Sequence, residues 1–299
     1  MFPFLKSKGP PGVVGLEVRP DGLGIAISRG SGDLMYAFEA CNAAERVAKL
    51  RSIVDEQGLE KMACRVVLPF DQYKTYSIDK PQVEDSEVPD AARWRVKDML
   101  DFDLDDAITD VYEFPVDALR GRTAQVNVVI CRRTIIQGLV SLVNDSGMAL
   151  ESIDIAELCL RNVAVTQVSD PERPVAMLYL RRGAGIMVFV KDHSLYLARH
   201  FDFSTEALNE PSQQEQVIQQ LALEVQRSFD YFESQLGQRP PGELILFGPD
   251  PSTPLANMLG GSITAKVIGL DLNPLNMEND LEAINALVSV GAMYRGERD

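Results

Sequence analysis

The sequence predicts a two-lobed α/β protein in which one structural plan is used twice, with a smaller α+β unit inserted into the first copy. Three observations predict it. At 299 residues the chain exceeds the length at which a single hydrophobic core usually stops growing, so two domains are expected. Three strand-like segments, a helix and a buried strand follow one another at 12–69 and again at 174–248, without residue-level identity between the copies. Between them, from about 71 to 153, the chain becomes a polar, acidic block with strands and helices of its own.

In the first copy, 13–18, 23–28 and 34–40 are strand-like. The turns Arg19-Pro20-Asp21-Gly22 and Arg29-Gly30-Ser31-Gly32-Asp33 are short enough to join them as hairpins. Ala43, Val47, Leu50 and Val54 then recur at helical spacing, and 64–69 reads as a buried strand. The inserted block opens with an alternating strand at 73–78 and an acidic surface connector at 79–89. A short amphipathic helix marked by Ala92, Val96 and Leu100 follows, then strands at 108–114 and 126–131. Ile135, Ile136, Leu139, Val140 and Val143 mark a second helix ending near Gly147, and a helix at 155–165 is expected to return the chain to the first domain.

The second copy places strands at 175–180, 185–190 and 195–201, joined by Arg181-Arg182-Gly183-Ala184 and Lys191-Asp192-His193-Ser194. Ile218, Leu221, Val225, Phe229, Phe232 and Leu236 step by three or four and make one apolar face of a long core helix. Gly237 can supply the left-handed residue that ends it, Pro240 and Pro241 prevent its resumption, and 244–247 is a buried strand. A helical turn at 255–259, a strand at 265–269 and a closing helix marked by Leu281, Ile284, Val288 and Ala292 complete the chain. The expected bounds are a first domain at 1–172 with its insert at about 71–153, a second domain at 173–279, and a helix within 280–299 that returns to the first. A chain that twice builds a mixed sheet from an antiparallel meander and helix-linked strands has the architecture of a duplicated ribonuclease H-like (actin/Hsp70-like ATPase) fold, here with an inserted small α+β subdomain.

Composition narrows the function classes. Hydrophobic residues at 45% and charged residues at 24% are ordinary for a soluble globular protein. The net charge of −15 argues against a nucleic-acid surface and against adsorption on anionic lipid, both of which need clustered Lys and Arg. Cys41, Cys64, Cys131 and Cys159 are far apart, without a C-x-x-C pair, and read as buried free thiols in a reducing compartment. His193 and His200 are an odd number of residues apart in a strand region, which sends them to opposite faces and argues against a shared metal site. With no long apolar run and no signal-peptide core, the chain is expected neither to span a membrane nor to be exported. Phe2, Phe4 and Leu5 beside Lys6 and Lys8 read either as a frayed terminus or as a small membrane or partner anchor.

Four stretches carry a resemblance: 15–22 (Gly-Leu-Glu-Val-Arg-Pro-Asp-Gly), 88–94 (Val-Pro-Asp-Ala-Ala-Arg-Trp), 224–232 (Glu-Val-Gln-Arg-Ser-Phe-Asp-Tyr-Phe) and 286–292 (Ala-Leu-Val-Ser-Val-Gly-Ala). Together they resemble the PilM/MshI family of actin-like pilus-assembly proteins, and most of all its MshI branch, named for mannose-sensitive haemagglutinin (MSHA) pilus biogenesis. The same resemblance extends to the cytoplasmic domain of the type II secretion protein GspL and to FtsA. It implies a cytoplasmic scaffold of an MSHA, type IV pilus or related secretion machine, peripheral to the inner membrane. Its implied partner is the cytoplasmic tail of a bitopic PilN/MshJ-like protein, with self-association as a further option.

The nucleotide site implied by the fold reads as degenerate. Phosphoryl transfer in this fold needs a carboxylate near the end of each meander's first strand and small residues in the next turn, so that backbone N–H groups approach the phosphates. Where PilM-like sequences carry Asp-Ile-Gly-Ser, this chain has Glu17 followed by Arg19-Pro20-Asp21-Gly22. The second expected Asp-x-Gly is Tyr179-Leu180-Arg181, and the adenosine loop is Gly248-Pro249-Asp250-Pro251. The expectation is a pseudo-ATPase without catalytic residues or a metal site. Glu17, Arg19, Arg181, Gly183 and Gly248 would mark the residual cleft, in which ATP or ADP could persist as a structural ligand. Glu17 reads either as a metal-holding acid or as an exposed or partnered strand-end acid. Arg19, Arg181 and Arg182 either converge on the old phosphate site or are solvated turn residues. Gly183 and Gly185 are better explained by hairpin geometry. The competing functions are an ATP-binding or slowly hydrolysing ATPase whose nucleotide state gates partner binding and, more weakly, a small-molecule kinase. For partner capture, Arg93, Trp94 and Lys97, with Arg95, make a basic and aromatic helix in an acidic protein. That helix either anchors the tail or uses Trp94 to pack the insert against the first domain.

Overall fold

The computed structural model describes residues 12–30, 33–121, 123–181, 183–203, 205–248, 255–278 and 281–294. The N-terminal anchor motif, Arg182 and residues 249–251 therefore lie outside the described residues. The chain runs β1 (Val13–Arg19), β2 (Gly22–Ser28), β3 (Leu34–Ala40), α1 (Arg46–Gln57) and β4 (Ala63–Val67). It continues through β5 (Tyr73–Asp79), α2 (Val88–Arg95), β6 (Ala107–Glu113), β7 (Gln125–Arg132), α3 (Arg133–Ser146), β8 (Ala149–Asp154) and α4 (Ala156–Val165). The remainder is β9 (Val175–Arg181), β10 (Ala184–Lys191), β11 (Ser194–Phe201), α5 (Thr205–Asn209), α6 (Pro211–Ser234), β12 (Glu243–Phe247), α7 (Leu255–Gly260), β13 (Lys266–Gly269) and α8 (Leu281–Met293).

The two large sheets have the same plan. One is ordered β3-β2-β1-β4-β8 and the other β11-β10-β9-β12-β13, each an antiparallel meander followed by two parallel strands. This is the duplicated ribonuclease H-like arrangement that the sequence predicts. The third sheet, β5-β7-β6, is the insert, and α2 covers one of its faces with Val88, Ala92 and Val96.

Two expectations change. The insert ends near Arg132 and not near Ile153, because α3 packs on α1 and β8 closes the first sheet beside β4. β8 escaped notice because an edge strand is half exposed; Glu151 and Ser152 interrupt the apolar run that marks a central strand. The helix expected to return the chain to the first domain, α4, instead lies on the second sheet against β9, β10 and β11. Its counterpart α8 lies across β1, β2, β3 and β4, so each lobe sends its last helix to the other.

Those two helices meet between the sheets. At their crossing Gly291 touches α4 so closely that a Cβ would collide with the Cys159 carbonyl oxygen, and Asn162 Nδ2 donates to the Gly291 carbonyl at 2.9 Å. A second close approach, at Gly15, seats α8 on β1, because any side chain there would strike the Ser289 carbonyl oxygen. The outer faces are covered in the usual amphipathic way. Leu50, Val54, Leu139 and Val143 of α1 and α3 cover the first sheet, while Phe229 and Phe232 of α6 close around Phe189 of the second, the Phe189 and Phe232 rings 4.8 Å apart. Burying each such side chain contributes about 1.5–3 kcal/mol. Gly237 takes the left-handed conformation at φ 68° just beyond α6.

All four cysteines are free and buried, and burial pushes the Cys64 and Cys131 thiols up to about 12 and about 11. Among the described residues no helix is long and apolar enough to cross a membrane.

Candidate functional site

Strand alternation aims the residues of interest into the layer between the lobes. In β1, Val14, Leu16 and Val18 face α1 and α3, so Gly15, Glu17 and Arg19 face α8. In β9, Ala176, Leu178 and Leu180 face α6, so Met177, Tyr179 and Arg181 face inward. The C-terminal ends of both first strands therefore meet at the cleft.

There Arg181 Nη1 donates to Glu17 Oε1, joining the lobes by an ion pair whose partners are 3% and 2% exposed. Burial opposes the Arg181 charge, but the Glu17 carboxylate outweighs it and holds the guanidinium firmly protonated. The guanidinium carbon lies 4.6 Å from the centre of the Phe70 ring, which also stacks with His200 at 6.0 Å. Glu157, in the first turn of α4, is also buried. It accepts from Tyr73 Oη at 2.5 Å and pairs with His200 Nε2 at 2.7 Å. Burial, with the Glu157 charge added, pushes the Tyr73 phenol well above its ordinary value, so it stays a donor. The column Glu17, Arg181, Phe70, His200, Glu157 and Tyr73 passes back and forth between the lobes.

Arg19 is held within its own lobe. It donates to both Asp21 carboxylate oxygens at 2.8 and 2.9 Å and to Asn285 Oδ1 of α8 at 3.0 Å, and it lies 4.4 Å over Phe38. Burial raises the Asp21 carboxyl, but the Arg19 hydrogen bonds and charge outweigh it and hold the group below the usual carboxylate range. The sequence reading of Arg19 and Arg181 as solvated turn residues or as a free anion-binding pair is thus corrected: both are buried and both are spent on carboxylates.

The other expected site residues take different places. Gly183 turns the β9–β10 hairpin at φ 77°, with open space where a side chain would stand. Gly248, at φ 93°, packs so closely on β9 that a Cβ would collide with the Leu180 carbonyl oxygen. Tyr179 stands where the second cleft carboxylate was expected and donates to the Ile284 carbonyl at 2.6 Å, burial pushing its phenol up to about 12. Arg93, Trp94 and Lys97 lie on or just after α2, on the outside of the insert. Trp94 is 61% exposed with Lys97 5.8 Å from its ring, so it does not pack the insert against the first domain.

This donor set does not fit a magnesium–triphosphate group. Of the two cleft carboxylates that the fold calls for, Glu17 is present and one of its oxygens is occupied by Arg181, the turn after β1 contains Pro20, which has no N–H, and Arg19 is neutralised by Asp21. Among the described residues no group of three potential metal ligands occurs.

A second concavity lies on the other face of the insert's sheet from α2. It has a volume of about 540 Å³ and is bounded by Ile108 and Tyr112 of β6, Val129 of β7, Ile153 and Leu158 of the β8–α4 corner, and Leu195 of the second lobe. Asp110, Glu113, Asp154 and Arg161 stand among these apolar walls. β6 is an outer strand of its sheet, so among the described residues one of its backbone edges has no strand neighbour. Alternation in 108–114 was legible as a strand, but the three-sided groove was not. Phe70, Glu157 and His200 were likewise missed, since they are brought together from separate elements.

No family model matches the chain, and no curated protein sequence matches it. Solved structures do match in fold. A protein of the PilM–PilN type IV pilus biogenesis complex is 18% identical, with a TM-score of 0.74 over 95% of this chain and 98% of that one. The cytoplasmic domain of EpsL, an inner-membrane component of the type II secretion system of Vibrio cholerae, is 11% identical, with a TM-score of 0.58 over 96% and 100%. A Bacteroides thetaiotaomicron protein of actin-like ATPase fold and unknown function is 13% identical, with a TM-score of 0.54 over 96% and 98%. At such identities the likeness establishes the fold: a duplicated actin-like ATPase fold with a small inserted subdomain.

Proposed function

We propose that this chain is a binding scaffold of actin-like fold, without ATPase turnover, which captures the cytoplasmic tail of a PilN/MshJ-like membrane protein in an MSHA, type IV pilus or related secretion machine. It acts from the cytoplasmic side, held at the inner membrane by its partner. The observation that carries the reading is a contrast between two concavities. The interlobe cleft is filled by the protein's own Glu17–Arg181 pair, whereas the 540 Å³ groove beside β6 combines apolar walls, a few polar groups and an unpaired strand edge. Such a groove suits an extended peptide that adds a strand to β6 and drops alternate side chains onto Ile108, Tyr112 and Leu195. The likeness to a protein of the PilM–PilN complex supports the choice of partner class.

The test is calorimetry with a synthetic tail of the membrane partner. We expect binding by the parent protein, loss of binding in Ile108→Lys, and little change in Trp94→Ala. The reverse pattern would move the interface to the Arg93, Trp94 and Lys97 helix. A few ordered residues give modest affinity because ordering entropy opposes the contacts, so assembly relies on confinement at the membrane or on several copies.

One observation favours a second reading, an ATP-binding or slowly hydrolysing protein whose nucleotide state gates the tail. Glu17 Oε2 is buried without a hydrogen-bond partner among the described residues. Thermal stabilisation by Mg-ATP that disappears in Glu17→Ala would establish that reading; no stabilisation at millimolar ATP supports the scaffold without nucleotide.

A further inference from the structure

The connection from β6 to β7 leaves the insert and docks on the second lobe. Ala118 is buried in that lobe's core and Phe114 packs against it. The Asp117 carboxylate accepts from Tyr196 Oη at 2.6 Å and from Lys191 Nζ at 2.8 Å, and Gln238 Nε2 donates to the Asp117 carbonyl at 3.3 Å. Three residues on, Arg120 Nη1 donates at 2.8 Å to the carbonyl of Ser234, the last residue of α6, where a cation is favoured by the helix dipole. Gly237 leaves room for that guanidinium, since a Cβ there would collide with it.

These anchors border the groove. Lys191 and Tyr196 bracket Ser194 and Leu195, which form its second-lobe wall, and the connection continues directly from Tyr112 and Glu113 of its insert wall. The groove's width is the distance between those two walls, and among the described residues no strand pairing ties the insert's sheet to the second sheet. The connection ties them directly, alongside the Tyr73–Glu157–His200 hydrogen bonds that run through α4.

We propose that residues 114–121 are a strap that sets the width of this groove, and that its release at Asp117 and Arg120 admits an extended peptide. The device rests on the tail-binding reading of the groove but concerns its regulation. Asp117 is held below the usual carboxylate range because the Lys191 and Tyr196 hydrogen bonds outweigh the opposing effect of burial, in keeping with a contact formed in the resting state. The anchor side chains reach solvent, Asp117 being 47% exposed, so the strap is held by contacts of a strength that thermal motion breaks and remakes.

The test uses the full chain with spin labels at Thr75→Cys on β5 and Leu223→Cys on α6, both exposed positions, the native cysteines being buried. The parent should give one narrow distance. Asp117→Ala combined with Arg120→Ala should add a longer, broader population, and Asp117→Glu should restore the narrow one. In the same pair of proteins, association of the partner's tail peptide should quicken about tenfold in the double variant, as losing two solvent-screened charged anchors raises the open fraction by that order. An unchanged distance distribution overturns the strap whether or not the tail binds. A widened distribution with unchanged association overturns its role as a gate. Failure of the parent to bind any tail while the distances respond as expected would refute the proposed function and leave the strap standing.

Discussion

The two lobes end their first strands on the same residue and put it to different use. β1 and β9 are each seven residues long and pair with their hairpin partners in the same register, so Arg19 corresponds to Arg181, Glu17 to Tyr179 and Asp21 to Gly183. In the first lobe the turn supplies a carboxylate two residues after the arginine, and Arg19 closes on Asp21 without leaving its own hairpin. In the second lobe that position is Gly183, and Arg181 reaches across the cleft to Glu17. One missing carboxylate converts a local pair into the contact that joins the lobes. The same contact takes up the acid with which the fold would otherwise handle a cation or its waters.

The largest effect should come from breaking the interlobe pair. Both partners are almost fully buried, so Arg181→Ala leaves Glu17 charged and without compensation, at a cost of about 3–5 kcal/mol in chemical denaturation. Replacing both partners together, as in Glu17→Leu with Arg181→Met, removes both desolvation penalties and should recover most of that loss. A double variant as unstable as Arg181→Ala alone would mean that the lobes depend on the charges themselves.

A smaller effect should follow at the helix exchange, the second place where the lobes meet. Gly291→Ala would ordinarily favour α8 by about 1 kcal/mol through helix propensity. Here the new methyl collides with the Cys159 carbonyl oxygen and forces α4 and α8 apart, so we expect a net destabilisation of about 1–3 kcal/mol by the same measurement. Ser289→Ala, two residues earlier on α8, removes a buried hydroxyl without a hydrogen-bond partner among the described residues and should be neutral or stabilising, which separates loss of polarity from loss of clearance.

These two contacts mark the border between what could and could not be read in the chain. The meanders and α6 were legible because period-two and period-3.6 patterns are local properties, and Leu16, Val18, Phe229 and Phe232 declare their faces within a few residues. The replacement of the expected cleft acids and glycines by Glu17, Pro20, Tyr179 and Arg181 was legible too. What Arg181 does instead was not, since Glu17 is 164 residues away and only the fold brings the two together. The exchange of α4 and α8 escaped for the same reason. An apolar helix states that it is buried but not against which sheet, and Gly291 becomes informative only when Cys159 lies opposite it. β8 failed differently, its edge position giving it Glu151 and Ser152 in place of an apolar run.

The smallest effect should come from the local pair, and it completes the comparison. Asp21→Asn removes the charge that holds Arg19, yet Arg19 keeps its hydrogen bond to Asn285 and its contact with Phe38. The Asp21 side chain is 53% exposed, so solvent screens the pair and the loss near neutral pH should be below about 1 kcal/mol. Its pH dependence has a fixed sign. Because the folded-state carboxyl lies below its unfolded value of roughly 3.9, the contribution is complete above that value and disappears as the pH falls through the folded-state one. Stability curves of the parent and Asp21→Asn should therefore run parallel above about pH 5 and converge in more acidic solution. Curves that stay apart down to the acid transition would assign the cost to lost geometry at the β1–β2 turn, and a difference as large as that of Arg181→Ala would show that the two arginines are energetically equivalent after all.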